Sequence, residues 1–184
     1  MWRYFREKKD EIYRKVFRPI PEDFFSFETG EPFNQCIECK SDLNESESDY
    51  IIEKSYQDGE VIYEYALCDS CCKDLRGEMS KESMKHLKKA LKRPVLKTTI
   101  DGCRCCGIPR SELPGFTIVG ACVGNHMIFW DAPVLICDPC LETISEGLSK
   151  QTRDLLDDFE VRNFPGPPEM EIDLPKTRRK VVVI

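Results

Sequence analysis

The sequence predicts an α+β fold of two small tandem modules, each ordered knuckle, β-hairpin, second knuckle and helix, behind an N-terminal amphipathic helix. Three observations carry that prediction. Four Cys-x-x-Cys pairs fall into two equal sets, Cys36/Cys39 with Cys68/Cys71 and Cys103/Cys106 with Cys137/Cys140. Between the pairs of each set lie β-branched and aromatic runs broken by a two-residue turn. After each second pair the apolar spacing becomes helical, and the two helical stretches align at a constant offset of 69 residues.

Residues 1–33 form the N-terminal helix and connector. Trp2, Phe5, Ile12 and Val16, with Tyr13 and Phe17 beside them, make a helical stripe over residues 2–17. It stops at Arg18-Pro19, because proline pushes the residue before it out of the α region. Two readings stand for this stripe: a helix docked on the modules, or a basic arm for a partner or a membrane surface. Pro19-Ile20-Pro21 and Phe24-Phe25-Ser26-Phe27 continue as an extended connector tucked against the body.

The first module spans residues 34–98. After Cys36 and Cys39 an acidic loop, 42–49, leads to Tyr50-Ile51-Ile52. Asp58-Gly59 supplies a hairpin turn, which needs positive φ, and residues 61–67 return to Cys68. Ser80 has the chemistry of an N-cap for a helix through Met84, Leu87 and Leu91 that stops at Arg93-Pro94.

The second module, residues 99–163, repeats that order. Residues 117–123 form a strand, Gly124-Asn125 turns the chain, and residues 126–130 return. A helix follows from Ser149 through Leu155, Leu156 and Phe159. Leu75 aligns with Ile144, Ser80 with Ser149, Ser83 with Thr152 and Leu87 with Leu156. The first Cys pairs are offset by only 67, so the second hairpin carries two extra residues, placed within Asp131-Ala132-Pro133. Residues 164–184 form a Pro-rich and then basic tail ending in Val181-Val182-Val183-Ile184. That run reads equally as an edge strand or a loose terminus.

Two residues between cysteines let both sulfurs of a tight turn point at one ion, and four thiolates complete the tetrahedral shell of Zn²⁺. The sequence thus predicts two structural zinc ions held by the eight paired cysteines. An odd count of 11 cysteines and a Met1–Arg6 start that lacks the apolar core of a signal peptide argue against a disulfide framework. Both point to a cytoplasmic chain. Cys105 would break the parallel with Cys36-x-x-Cys39, so Cys106 is the expected ligand. Cys72 neighbours a ligand, and Cys122 is expected in the core rather than paired with His126. His86 is expected to be solvated on a basic helix face. Asp69 and Asp138 recur at one place in the repeat, where a capping role at the helix start is expected.

The eight paired cysteines and the helices after Cys71 and Cys140 resemble the treble-clef, zinc-ribbon-like class of Cys₄ zinc fingers, in tandem over residues 34–160. That resemblance implies a fold class shared by nucleic-acid binders, ubiquitin-related modules, nucleases and scaffolds.

Charge narrows the functions. The formal net charge is -6, and eight thiolates with two dications would bring it near -10, which disfavours nonspecific binding to phosphate backbones. No apolar run approaches the roughly 18 residues of a membrane span. Catalytic zinc keeps an open position, whereas four thiolates fill the shell, and the two histidines form no HxE or HExxH arrangement. The expected protein is a non-catalytic zinc binder that engages a protein partner or serves as a scaffold. The rival is nucleic-acid binding through the basic 81–97 stretch, with Lys81, Lys85, Lys88, Lys89, Lys92, Arg93 and Lys97, helped by Arg178, Arg179 and Lys180. The matching helix of the second module carries Asp154, Asp157, Asp158 and Glu160, so the two helices are expected to attract across the module interface.

Overall fold

The computed structural model describes residues 17–44, 49–91, 100–129 and 133–164. The expected N-terminal helix and the tail beyond Phe164 lie outside them, apart from Phe17, which belongs to a strand.

The strands are β1 (Phe17–Pro19), β2 (Asp49–Gln57), β3 (Glu60–Cys68), β4 (Gly115–Val123), β5 (His126–Ile128) and β6 (Val134–Cys137). The helices are α1 (Asp69–Glu78), α2 (Lys81–Leu91), α3 (Asp138–Glu146) and α4 (Lys150–Asn163). All six strands join one antiparallel sheet, in the order β1-β5-β4-β2-β3 with β6 also on β4. The fold is therefore α+β, as expected.

The first hairpin turns where its sequence demands it. Asp58 and Gly59 both take positive φ, 51° and 86°, the geometry that matches the twist of the flanking strands. The second hairpin turns at Gly124 (φ 50°), but its return strand is split. β5 pairs with Cys122 and Val123, whereas β6 pairs with Phe116 to Val119. The insertion therefore falls between Ile128 and Val134, consistent with its expected place. It is larger than the cysteine spacing alone implies. The offset is 67 at Cys36/Cys103 and falls to 66 at Tyr50/Phe116, which pair with Cys68 and Cys137. It rises to 69 at those cysteines, so the return strand gains three residues and the loop before the hairpin loses one.

The two halves are fused through β2 and β4, which pair antiparallel over nine positions from Asp49↔Val123 to Gln57↔Gly115. At the offset of 66, Glu53 corresponds to Val119, and those two residues are partners at the centre of the ladder. The pairing thus maps onto itself, as the shared strand of a two-fold dimer would, within one chain.

The helices obey the same pseudo-two-fold. Each first helix packs on its own strands, α1 on β2 and β3, and α3 on β4 and β6. Each second helix crosses to the other half. Phe159 of α4 meets Tyr65 of β3 (ring centroids 5.5 Å apart), and Arg162 and Asn163 reach Glu38 beside the first knuckle. α2 lies against α3, and the Leu91 carbonyl accepts from Arg104 beside the second knuckle.

The crossover point is a cluster of four hydroxyls. Ser149 Oγ–H donates to Ser80 Oγ at 2.9 Å, and each residue is the other's repeat equivalent. Ser80 N–H donates to Thr152 Oγ1 at 3.1 Å, and Ser149 N–H to Ser83 Oγ at 2.9 Å. Ser80 also caps its own helix, accepting from Ser83 N–H as its sequence suggests, and Ser149 does the same for α4 by accepting from Thr152 N–H. Ser83 and Thr152 are fully buried, and these bonds satisfy them.

Both faces of the sheet are covered, which explains why β2 and β4 read as nearly continuous buried runs. Alternation sends Glu53, Tyr63 and Tyr65 toward α4, where both tyrosine hydroxyls donate to the buried Glu53 carboxylate (3.2 and 2.8 Å). It sends Lys54, Tyr56 and Gly120 to the opposite face, under the connector. There Phe24 is fully buried, and a Cβ at Gly120 would lie 2.9 Å from its ring. Lys54 Nζ–H donates to the Phe25 carbonyl and pairs with Glu64 (3.1 Å), which also accepts from Ser26 Oγ–H and Phe27 N–H. The connector is tucked against the body as expected, although Phe27 itself is exposed.

Candidate metal centres

The two knuckles are built alike, bond for bond. Lys40 N–H donates to Cys36 O (3.0 Å) and Gly107 N–H to Cys103 O (2.8 Å). Both turns then need positive φ, which Lys40 (60°) and Gly107 (79°) supply; only glycine does so without a Cβ penalty. The turns close with Cys36 N–H to Ser41 O and Cys103 N–H to Ile108 O. Ile37 N–H donates to Ala66 O (2.8 Å) and Arg104 N–H to Leu135 O (2.7 Å), docking each knuckle on the strand that carries its second cysteine pair.

The second pairs sit where a strand becomes a helix. Cys68 and Cys137 are the residues before α1 and α3, and Cys71 and Cys140 lie in the first turns. Thiolates there face the positive end of a helix dipole. Asp69 and Asp138 are the first residues of their helices, directly after Cys68 and Cys137, which hold the cap positions without a side-chain cap bond. Asp69 pairs with Lys73, and Asp138 lies against Gly115, where a Cβ would meet its carboxylate.

The fold brings together all eight expected ligands. The sulfurs of Cys36, Cys39, Cys68 and Cys71 lie within 4.8 Å of one another, as do those of Cys103, Cys106, Cys137 and Cys140. A tetrahedron with metal–sulfur bonds of about 2.3 Å has edges of roughly 3.8 Å. Cys39 Sγ and Cys68 Sγ are 3.7 Å apart, and so are Cys106 Sγ and Cys137 Sγ. Each set therefore fits one tetrahedral thiolate-bound ion, for which zinc has the right softness and geometry. Backbone donors complete the second shell: Cys68 N–H to Cys36 Sγ and Cys137 N–H to Cys103 Sγ, both 3.4 Å.

The thiols of a set titrate against one another. Burial, followed by bonds to neighbouring sulfurs, pushes Cys71 and Cys140 well above the ordinary thiol value, and burial lifts Cys137 to about 11. The Ser41 hydroxyl brings Cys39 down to about 6, and a bond from Cys105 brings Cys103 to about 3. A dication among four such sulfurs reverses the penalty and favours thiolate at every ligand.

The remaining cysteines stand outside both shells. Cys122 is fully buried and its thiol is lifted to about 12 by burial, in keeping with a core residue. Cys72 is buried, with its S–H directed at Leu67 O, and burial lifts it to about 12 as well. Cys105 is half-buried beside Cys103 and donates to it without joining the set. His126 is exposed on β5. His86 departs from expectation: it is partly buried, with Nε2 3.0 Å from Ile144 O.

Comparison with known proteins returns no matching family model, no matching curated protein and no matching solved structure.

The hydroxyl cluster and the helix exchange escaped the sequence reading. Equivalence of Ser80 with Ser149 and of Ser83 with Thr152 was visible, and four small hydroxyls self-equivalent at helix starts are the signal that could have placed them on a two-fold.

Proposed function

We propose that this chain is a non-catalytic, cytoplasmic protein-interaction or scaffold protein whose two zinc ions are structural. The observation that carries the reading is the pair of closed Cys₄ sets. Each ties a knuckle to the start of a helix, and each spends all four tetrahedral positions on thiolates, leaving no place for substrate or activated water. Both histidines stand outside the sets. The zinc ions act by holding the two hairpins and two exchanged helices in one body, so recognition falls to the surface of that body.

A second reading keeps nucleic acid as the partner. Lys81, Lys85, Lys88 and Lys89 are exposed on α2, and among the described residues none forms an ion pair. The expected attraction between α2 and the acidic α4 is not what these lysines do, because the helices cross to opposite halves. The net charge still weighs against a polyanion.

Affinity purification of the full chain from its native cell, with and without nuclease, tests the choice. A protein partner retained after nuclease supports the proposed reading. Micromolar DNA or RNA binding at physiological salt, abolished by reversing Lys85, Lys88 and Lys89 to glutamate, would replace it with the second.

A further inference from the structure

The pseudo-two-fold relates the two return strands residue for residue. At the offset of 66, the pairs Tyr56↔Val61 and Gln57↔Glu60 of the first hairpin become Cys122↔Met127 and Val123↔His126 of the second. Glu60, Val61 and Ile62 of β3 are therefore the equivalents of β5, His126–Ile128. β5 does not end the sheet. β1 adds outside it, antiparallel, with Phe17↔Ile128, Arg18↔Met127 and Pro19↔His126.

On β3 the same seat is open. Among the described residues no strand pairs with β3 on the side away from β2, and no backbone bond reaches Glu60, Val61, Ile62 or Glu64 from there. Burial records the difference: beside β1, Met127 is buried and Ile128 half-buried, whereas Val61 is half-buried and Ile62 is 47% exposed. The open length has definite ends. Asp58-Gly59 turns the chain at one, and at the other the first knuckle takes the edge, with Ile37 N–H donating to Ala66 O. Alternation from Ala66 points the Glu64 N–H and C=O out of the sheet as well. An edge with an exposed aliphatic and outward backbone groups is a template for one more strand.

Charge selects the occupant. Asp58 and Glu60 are exposed, and among the described residues neither forms an ion pair. Residues 22–64 carry thirteen Asp and Glu against two Lys, a net of -11. A second copy is disfavoured, because two-fold pairing about Ile62 would set each Glu60 against a Glu64. Cations on an incoming strand meet Asp58 and Glu60 instead, and its apolar residues cover Ile62. β1 has that makeup, Arg18 between Phe17 and Pro19, with the Arg18 guanidinium 4.6 Å from the centre of the Phe129 ring. We propose, resting on the protein-interaction reading above, that the β3 edge over residues 60–64 is the docking site for an extended segment of a partner protein in which Lys or Arg alternates with apolar residues. It adds antiparallel, as β1 adds to β5, and main-chain bonds supply the affinity.

The test titrates the zinc-loaded full chain with a peptide alternating lysine and valine, reading affinity and amide hydrogen exchange. Exchange at the Glu64 amide is expected to slow, and affinity to fall at about 1 M salt. The fully N-methylated peptide, which has no backbone donors, and the peptide with glutamate for every lysine should give no protection. Glu60→Lys with Ile62→Lys should weaken binding about tenfold with two zinc ions still bound. Protection elsewhere than residues 60–64, equal binding of the glutamate peptide, an unchanged affinity of the double variant, or no binding up to about 1 mM overturns the proposal. Protection of the Glu64 amide already present in the free chain overturns it too, by a second copy if dilution removes it and by the chain itself if dilution does not. A native partner that survives nuclease and is retained equally by the double variant sinks the edge and leaves the protein-interaction reading standing, whereas its loss from the variant supports both.

Discussion

Glu53 and Val119 face each other at the centre of the β2–β4 ladder, and they are the same position of the repeat. A polar residue and an apolar one thus share the pseudo-two-fold, and the asymmetry has a cause. Glu53 is fully buried on the face that meets α4, where Tyr63 and Tyr65 donate to it. A buried carboxylate is tolerable only when so satisfied.

Because each second helix crosses to the other half, loss of one metal should not stay local. Cys68→Ser or Cys137→Ser should each remove one of two zinc ions, and unfolding of the variant should remain a single broad loss rather than one half surviving intact. Elemental analysis with amide hydrogen exchange checks this. Full protection retained in one half would show that the halves are independent.

The hydroxyl cluster should be energetically coupled. Ser149→Ala removes a cap and the bond to Ser80, and should cost about 1–2 kcal/mol in denaturant unfolding. Ser80→Ala should cost a similar amount. Since the two touch at 2.9 Å, the double variant should cost less than the sum by about 0.5 kcal/mol or more. Additive costs would mean that the crossover contact contributes nothing.

Cys122 makes a prediction about alkaline pH. Burial lifts its thiol to about 12, above the ordinary unfolded value near 8.5. A thiol raised on folding favours the native state fully below the unfolded value, and that contribution is lost as pH rises from about 8.5 toward 12. Cys122→Ala should therefore show a shallower fall of stability between about pH 8.5 and 10.5, and its zinc content should stay at two. An unchanged slope would show that Cys122 is solvated, and loss of a zinc ion would show that it is a ligand.

The features read correctly from sequence are those set by local chemistry. The Asp58-Gly59 turn, the Ser80 cap and the four Cys-x-x-Cys pairs each declare themselves within a few residues. What was not legible depends on partners distant in the chain. His86 looks like one more polar residue on a basic helix, and only Gly147, 61 positions away, gives it a seat. The split of the second return strand was visible as extra length but not as a break, because Phe116 and Cys122 pair with β6 and β5 in different registers. Helix exchange left no trace in periodicity, since an amphipathic helix shows the same stripe whichever half it covers.

X-ray absorption at the zinc edge of the full chain tests the central claim most directly, namely that both ions are closed off by thiolates. The account predicts an average shell of four sulfurs at about 2.3 Å with no nitrogen or oxygen, for a protein carrying two zinc ions. A nitrogen or oxygen in the shell, or an average sulfur number near three, would contradict it, because an open position would return catalysis to consideration.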